Sequence, residues 1–95
     1  MNLIVHSGQA RSLAFEALSC ARNGDFTLSK KRLAESKEAS KAAHQVQTAL
    51  IGADEGQGKI SMTLVMVHAQ DHLMNAMLAQ DLIEEMIHLY QRIEK

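Results

Sequence analysis

The sequence predicts an all-α fold: one domain of three antiparallel helices, up-down-up, whose third helix associates with copies of itself. Three observations predict the helices. Good helix formers dominate 95 residues that hold no proline and only Phe15, Phe26 and Tyr90 as aromatics. The five glycines fall mainly at two breaks. Between the breaks, apolar residues recur at helical spacing.

Helix 1 is expected over about 3–22. Its Ala10, Leu13, Ala14, Ala17, Leu18 and Ala21 form a narrow stripe of small residues that permits close approach. Asn23-Gly24-Asp25 ends it, Gly24 being suited to the left-handed position after a helix C-terminus. Asp25 or Thr27 can cap helix 2, expected over about 26–51 with Leu33, Ala39, Ala42, Ala43, Val46, Ala49 and Leu50 facing inward. The stretch from Gly52 to Gly58 holds three glycines and reads as a flexible loop, giving way at Ser61, a plausible cap for helix 3 over about 61–93. Short connections imply antiparallel neighbours. Helix 3 is apolar almost all round from Met62 to Leu78, its polar side confined mainly to Gln70, Asp81, Glu84 and His88. Such a helix must be surrounded, and two partners within one chain cannot enclose it. Pattern alone therefore implies self-association through helix 3.

A net charge of −1 gives no reason to expect nucleic acid or an anionic membrane as partner. The run Lys30-Lys31-Arg32 reads as a solvated first turn. Lone Cys20 cannot form an internal disulfide and reads as a buried small side chain. With no apparent signal peptide and no apolar run near the ~20 residues of a membrane span, a reducing cytoplasm is the expected compartment.

Chemistry concentrates in His68-Ala69-Gln70-Asp71-His72-Leu73-Met74-Asn75. At about 100° per residue, His68, Asp71, His72 and Asn75 share roughly a 100° sector of helix 3. The same sector continues as Leu64 before them and Ala79, Leu82 and Met86 after them. Polar groups in so apolar a seam are costly unless paired. Spacing leaves four uses open: a metal site, acid–base work with Asp71 orienting an imidazole, nucleophilic catalysis by a neutral ring nitrogen, or a buried network that fixes helix register. The other histidines read as structural. His88 follows Glu84 at a spacing suited to a surface pair, His6 lies near the chain start, and His44 forms a small polar stripe with Gln47 and Thr48.

The wording of the cluster is more specific than its spacing. Val67-His68-Ala69-Gln70-Asp71-His72-Leu73-Met74 resembles the signature of the lactose/cellobiose family of enzyme IIA components of the bacterial sugar phosphotransferase system. Ile4 to Ser12, with its Gly-x-Ala-Arg-Ser run, resembles that family's first helix. Ala21 to Phe26 resembles its first turn, and Ala43-His44 followed by Gln47-Thr48 and Leu50 its second helix. The likeness spans nearly the whole chain. It departs in two places: the chain begins only a few residues before the Gly-x-Ala-Arg-Ser run, and the loop with Gly56 and Gly58 is rather polar for the family.

The resemblance implies a cytoplasmic, trimeric, three-helix phosphocarrier that takes a phosphoryl group from the phosphocarrier HPr and gives it to a cysteine of a IIB component, the sugar being recognised by a membrane IIC partner. It implies that His68 is the acceptor, through its tele nitrogen, with His72 and Gln70 supporting. It implies that Asp71 meets its symmetry mates at the trimer axis around a shared cation, magnesium being the expected one. Leu64, Leu73, Met74 and Met77 would form an apolar collar that keeps water from the phosphohistidine. Two other classes compete: a histidine phosphotransfer module of two-component signalling, and a structural or metal-binding bundle.

Overall fold

The computed structural model describes residues 2–54, 58 and 63–94. Three helices account for nearly all of them: α1 Asn2–Arg22, α2 Phe26–Asp54 and α3 Leu64–Glu94. They lie alongside one another in a rod 53 Å long and 19 by 17 Å across. No strand occurs among the described residues, and no described helix is long and apolar enough to cross a membrane.

The first break is built by local chemistry. Gly24 takes φ of +85°, which a Cβ would penalise, and the Asp25 amide reaches back to the Cys20 carbonyl at 2.9 Å. Asp25 then caps α2, its Oδ1 accepting from the Leu28 amide at 3.1 Å. Of the two candidate caps, Asp25 and not Thr27 makes this bond. The second break differs from expectation. Helix α2 runs past Ile51 and through Gly52 to Asp54, because its backbone ladder continues where glycine composition suggested a loop. Thr63 caps α3, its Oγ1 accepting from the Met66 amide. The expected cap at Ser61, Met62 and Gly56 lie outside the described residues.

Helix α1 packs as its sequence predicts: Ala10, Ala14, Ala17 and Ala21 are buried, with Leu13 and Leu18 half-buried beside them. Helix α2 does not. Of its expected inward residues Leu33 and Ala43 are buried, but Ala49 is exposed, and most buried positions belong to Ser29, Ser36, Ser40 and Gln47. Small hydroxyls let the two helices approach closely, and each buried hydroxyl needs an acceptor. Ser29 donates to the Ala17 carbonyl at 2.7 Å and Ser36 to that of Ala10 at 2.6 Å. Gln80 of α3 completes the set by donating to Ser36 at 2.9 Å and Ser40 at 3.2 Å.

Apolar packing forms two clusters. One joins Ala14, Ala17, Ala21, Leu33, Ile83 and Ile87 near the first turn; the other joins Leu3, Ala43, Ala69 and Leu73 towards the opposite end. Lys30 and Lys31 are exposed, as a solvated turn requires, while Arg32 pairs with Glu35 and Glu16. The bond to Glu35 raises the Arg32 guanidinium above its ordinary value. Cys20 is only half-buried.

Candidate functional site

The polar octet of the sequence lies in the first half of α3. Ala69, Leu73 and Ala76 turn inward onto the bundle, which fixes where everything else on the helix points. With Asp71 as zero and about 100° per residue, His68 stands near +60°, Asn75 near +40° and His72 near +100°. Gln70 stands near −100°, on the other flank. Residues two apart on a helix do not face one another, so Gln70 does not meet His68 of its own chain.

The apolar surroundings of Asp71 are open. Leu64 is 86 % exposed, and Val67, Met74, Leu78, Leu82, Met86, Leu89 and Ile93 are all exposed. Every one falls within about 60° of Asp71 around the helix. The seam that reads as a place for burial is therefore unburied in the single chain. Ala79, assigned to the same seam, lies at its edge and packs against the inner cluster. So continuous an apolar stripe marks an interaction surface.

His68 and His72 form a parallel stack, ring centroids 5.9 Å apart and planes 5° from parallel. His68 is exposed and His72 half-buried. That disfavours the buried-network alternative, since His68 stands at the surface. Asp71 is also exposed and accepts from Asn75 Nδ2 at 3.2 Å. No group of three metal-ligating side chains occurs among the described residues.

Two residues of the site come from other helices. Gly8, from the Gly-x-Ala-Arg-Ser run, passes so close that a Cβ on it would lie 3.7 Å from His72 Nε2. Gln47 of α2 is buried and donates from Nε2 to Gln70 Oε1, with Met74 Sδ 4.0 Å away. Sequence reasoning placed Gln47 in a stripe with His44 and Thr48, but those two are exposed; Gln47 alone turns inward. The signals for it were its place in that stripe and in the stretch that carries the family resemblance.

Other expectations need correction. Leu73 is fully buried and Met77 packs on the inner cluster, so of the expected collar only Leu64 and Met74 lie at the surface. Glu84 pairs with Lys37 of α2 at 2.8 Å and not with His88, because the across-helix lysine offers a full charge. His6, as expected of a structural histidine, makes a local surface contact, with Gln9 at 3.3 Å. An apolar groove bounded by Leu3, Ile4, Val46, Leu50, Met66 and Ala69 takes in neither His68 nor His72.

A three-helix chain with paired imidazoles on the flank of an open apolar seam has the form of a group carrier that works against other proteins. Comparison with known proteins makes the class specific. Residues 1–91 match the family model for the lactose/cellobiose-specific IIA subunit of the phosphotransferase system. The chain is 52 % identical over 94 residues to the N,N'-diacetylchitobiose-specific EIIA component of Escherichia coli K12, covering 99 % of this chain and 81 % of that one. It is 47 % identical over 91 residues to the lichenan-specific enzyme IIA component of Bacillus subtilis, covering 96 % and 83 %. Among solved structures, the cellobiose-specific enzyme IIA of Bacillus anthracis superposes with a TM-score of 0.94 at 41 % identity, covering 98 % of this chain and 85 % of that one. The Escherichia coli IIA(chitobiose) solved in complex with HPr gives 0.88 at 50 % identity, covering 100 % and 92 %. The chain belongs to the lactose/cellobiose-specific IIA family and is a phosphotransferase component of sugar uptake.

Proposed function

We propose that His68 accepts a phosphoryl group from phospho-HPr on Nε2 and passes it to a cysteine of a IIB component in the uptake of a lactose-, cellobiose- or chitobiose-type sugar. A nitrogen–phosphorus bond forms as the donor's bond to phosphorus breaks, and the reverse exchange discharges the group to sulfur. The stacked, surface-placed imidazole pair beside the apolar stripe carries this reading. Transfer of this kind asks for positioning and charge stabilisation more than for covalent help. HPr as donor is supported by the 50 % identical IIA(chitobiose) solved with HPr. Exchange with HPr and with the IIB subunit of a membrane IIC places the work in the cytoplasm.

The assembly that fits is a parallel homotrimer about the α3 seam. Three copies bury the stripe of Leu64, Leu78, Leu82, Met86 and Leu89 against itself, as in a coiled coil. Cyclic symmetry makes each contact heterologous: one flank of a helix meets the opposite flank of its neighbour. The His68–His72 flank of one copy then faces the Gln70, Val67 and Met74 flank of the next. His72 serves its own chain's His68 and Gln70 a neighbour's. Asp71, mid-stripe, meets its two symmetry mates. One carboxylate per chain does not make a metal site, whereas three convergent carboxylates suit a hard divalent cation such as Mg²⁺. When bound, such a cation offsets the repulsion among them and toward the incoming phosphoryl group.

Intact mass after incubation with phosphoenolpyruvate, enzyme I and HPr tests the function. One phosphoryl group per chain, labile to acid and stable to base, is expected, and none on a His68→Gln variant. A His68→Gln chain that takes up phosphate as the wild type does would overturn the assignment. Exchange with a receiver-domain aspartate but not with HPr would favour a two-component module.

A further inference from the structure

The buried polar side chains fall into two sets with different destinations. Gln80 ends among Ser36 and Ser40, fully enclosed between helices. Gln47 is equally buried, yet its bond leads outward, to the half-exposed Gln70 two residues from His68. A structural role alone accounts for the first set and leaves the direction of the second unexplained.

We propose that Gln47 is a positioning residue for phosphoryl transfer, holding the Gln70 amide with its carbonyl turned inward and its N–H donors turned outward. The inference rests on the carrier reading above, in which Gln70 meets a neighbouring copy's phosphorylated His68.

The two ends of a primary amide act oppositely on an anion. Glutamine offers an acceptor oxygen and a donor NH₂, and its terminal torsion is broad and roughly two-fold. A phosphoryl group only accepts. An unconstrained Gln70 would present its oxygen to that group about as readily as its nitrogen, and the oxygen repels. Gln47 Nε2 engages Gln70 Oε1 and so leaves the N–H donors free. Gln47 cannot readily turn, because it is buried on α2 with Met74 Sδ also within 4.0 Å of Nε2. Donors fixed before the charge arrives cost no reorganisation when it does.

The test uses the assembled full chain, phosphorylated by phospho-HPr, and reads the transfer rate and the Gln70 side-chain amide resonances. Gln47→Met keeps the volume and removes the donor, so transfer should slow about twofold, as a two-fold amide torsion is left free to choose. Gln47→Glu accepts where Gln47 donates, turns the Gln70 carbonyl outward and should slow transfer further, keeping the test decisive where Gln47→Met fails to fold. In a Gln70→Leu background both substitutions should lose most of their effect. In the wild type the Gln70 amide signals should shift on phosphorylation, and in Gln47→Met they should shift less. Equal slowing by Gln47→Met or Gln47→Glu with and without Gln70, or none at all, would overturn the proposal. Failure of the wild type to take up phosphate would instead overturn the carrier reading.

Discussion

The α1–α2 face and the outer face of α3 are built from opposite materials. The first joins alanines to serines, and the buried hydroxyls of Ser29 and Ser36 are answered by carbonyls of the facing helix at 2.6–2.7 Å. It is complete within one chain. The second sets large apolar side chains in the open, Leu64 at 86 % and Ile93 at 76 % exposure, around a carboxylate. It is half of something. The closed face stabilises the chain; the open face, on the function proposed above, assembles it and, at one level, carries the reaction.

Breaking the open face should give the largest effect. Leu78→Asp adds a like charge from each copy near the axis of the proposed trimer, a juxtaposition that costs several kcal/mol. Sedimentation should show trimers giving way to single chains, with affinity down about a hundredfold or more. Unchanged trimers would mean that the stripe faces some other partner. Breaking the inner packing acts on folding. Leu73 is fully buried, and Leu73→Ala should cost about 2–5 kcal/mol of unfolding free energy by urea titration, in any assembly state.

Asp71 sharpens the contrast because it is a polar residue in the apolar stripe. Asp71→Leu should leave a folded trimer, more stable by about 1–4 kcal/mol and indifferent to chelators, since the convergent carboxylates are gone. A monomeric product would place Asp71 away from the axis. The smallest effect belongs to the first turn: Asp25→Ala removes the α2 cap and should cost about 1 kcal/mol in thermal denaturation, with assembly unchanged.

What the sequence revealed follows the same division. The α1 stripe was legible because alanine at helical spacing has one good explanation, and Gly24-Asp25 because each residue matches a specific backbone need. The open stripe was legible as excess, more apolar surface on α3 than two helices can cover. The α2 interior was not, since a buried serine is visible only once its acceptor is known, and Ala17 and Ala10 supply theirs from another helix. The His68 cluster was legible as unusual, and resemblance gave it a chemistry that spacing left open. Gln47 stayed hidden because its importance lies in a bond across 23 positions of sequence. Glu84 misled for the same reason, a distant lysine outcompeting a near histidine.

The central claim is that the reacting site spans two copies, His68 from one and Gln70 from the next. Co-refolding His68→Gln chains with Gln70→Leu chains tests it most directly. His68→Gln alone has no acceptor, and Gln70→Leu alone should transfer slowly. In mixed trimers an intact His68 can face an intact Gln70, so the transfer rate per remaining His68 should rise toward that of the wild type. A mixture no faster than Gln70→Leu alone would contradict the account.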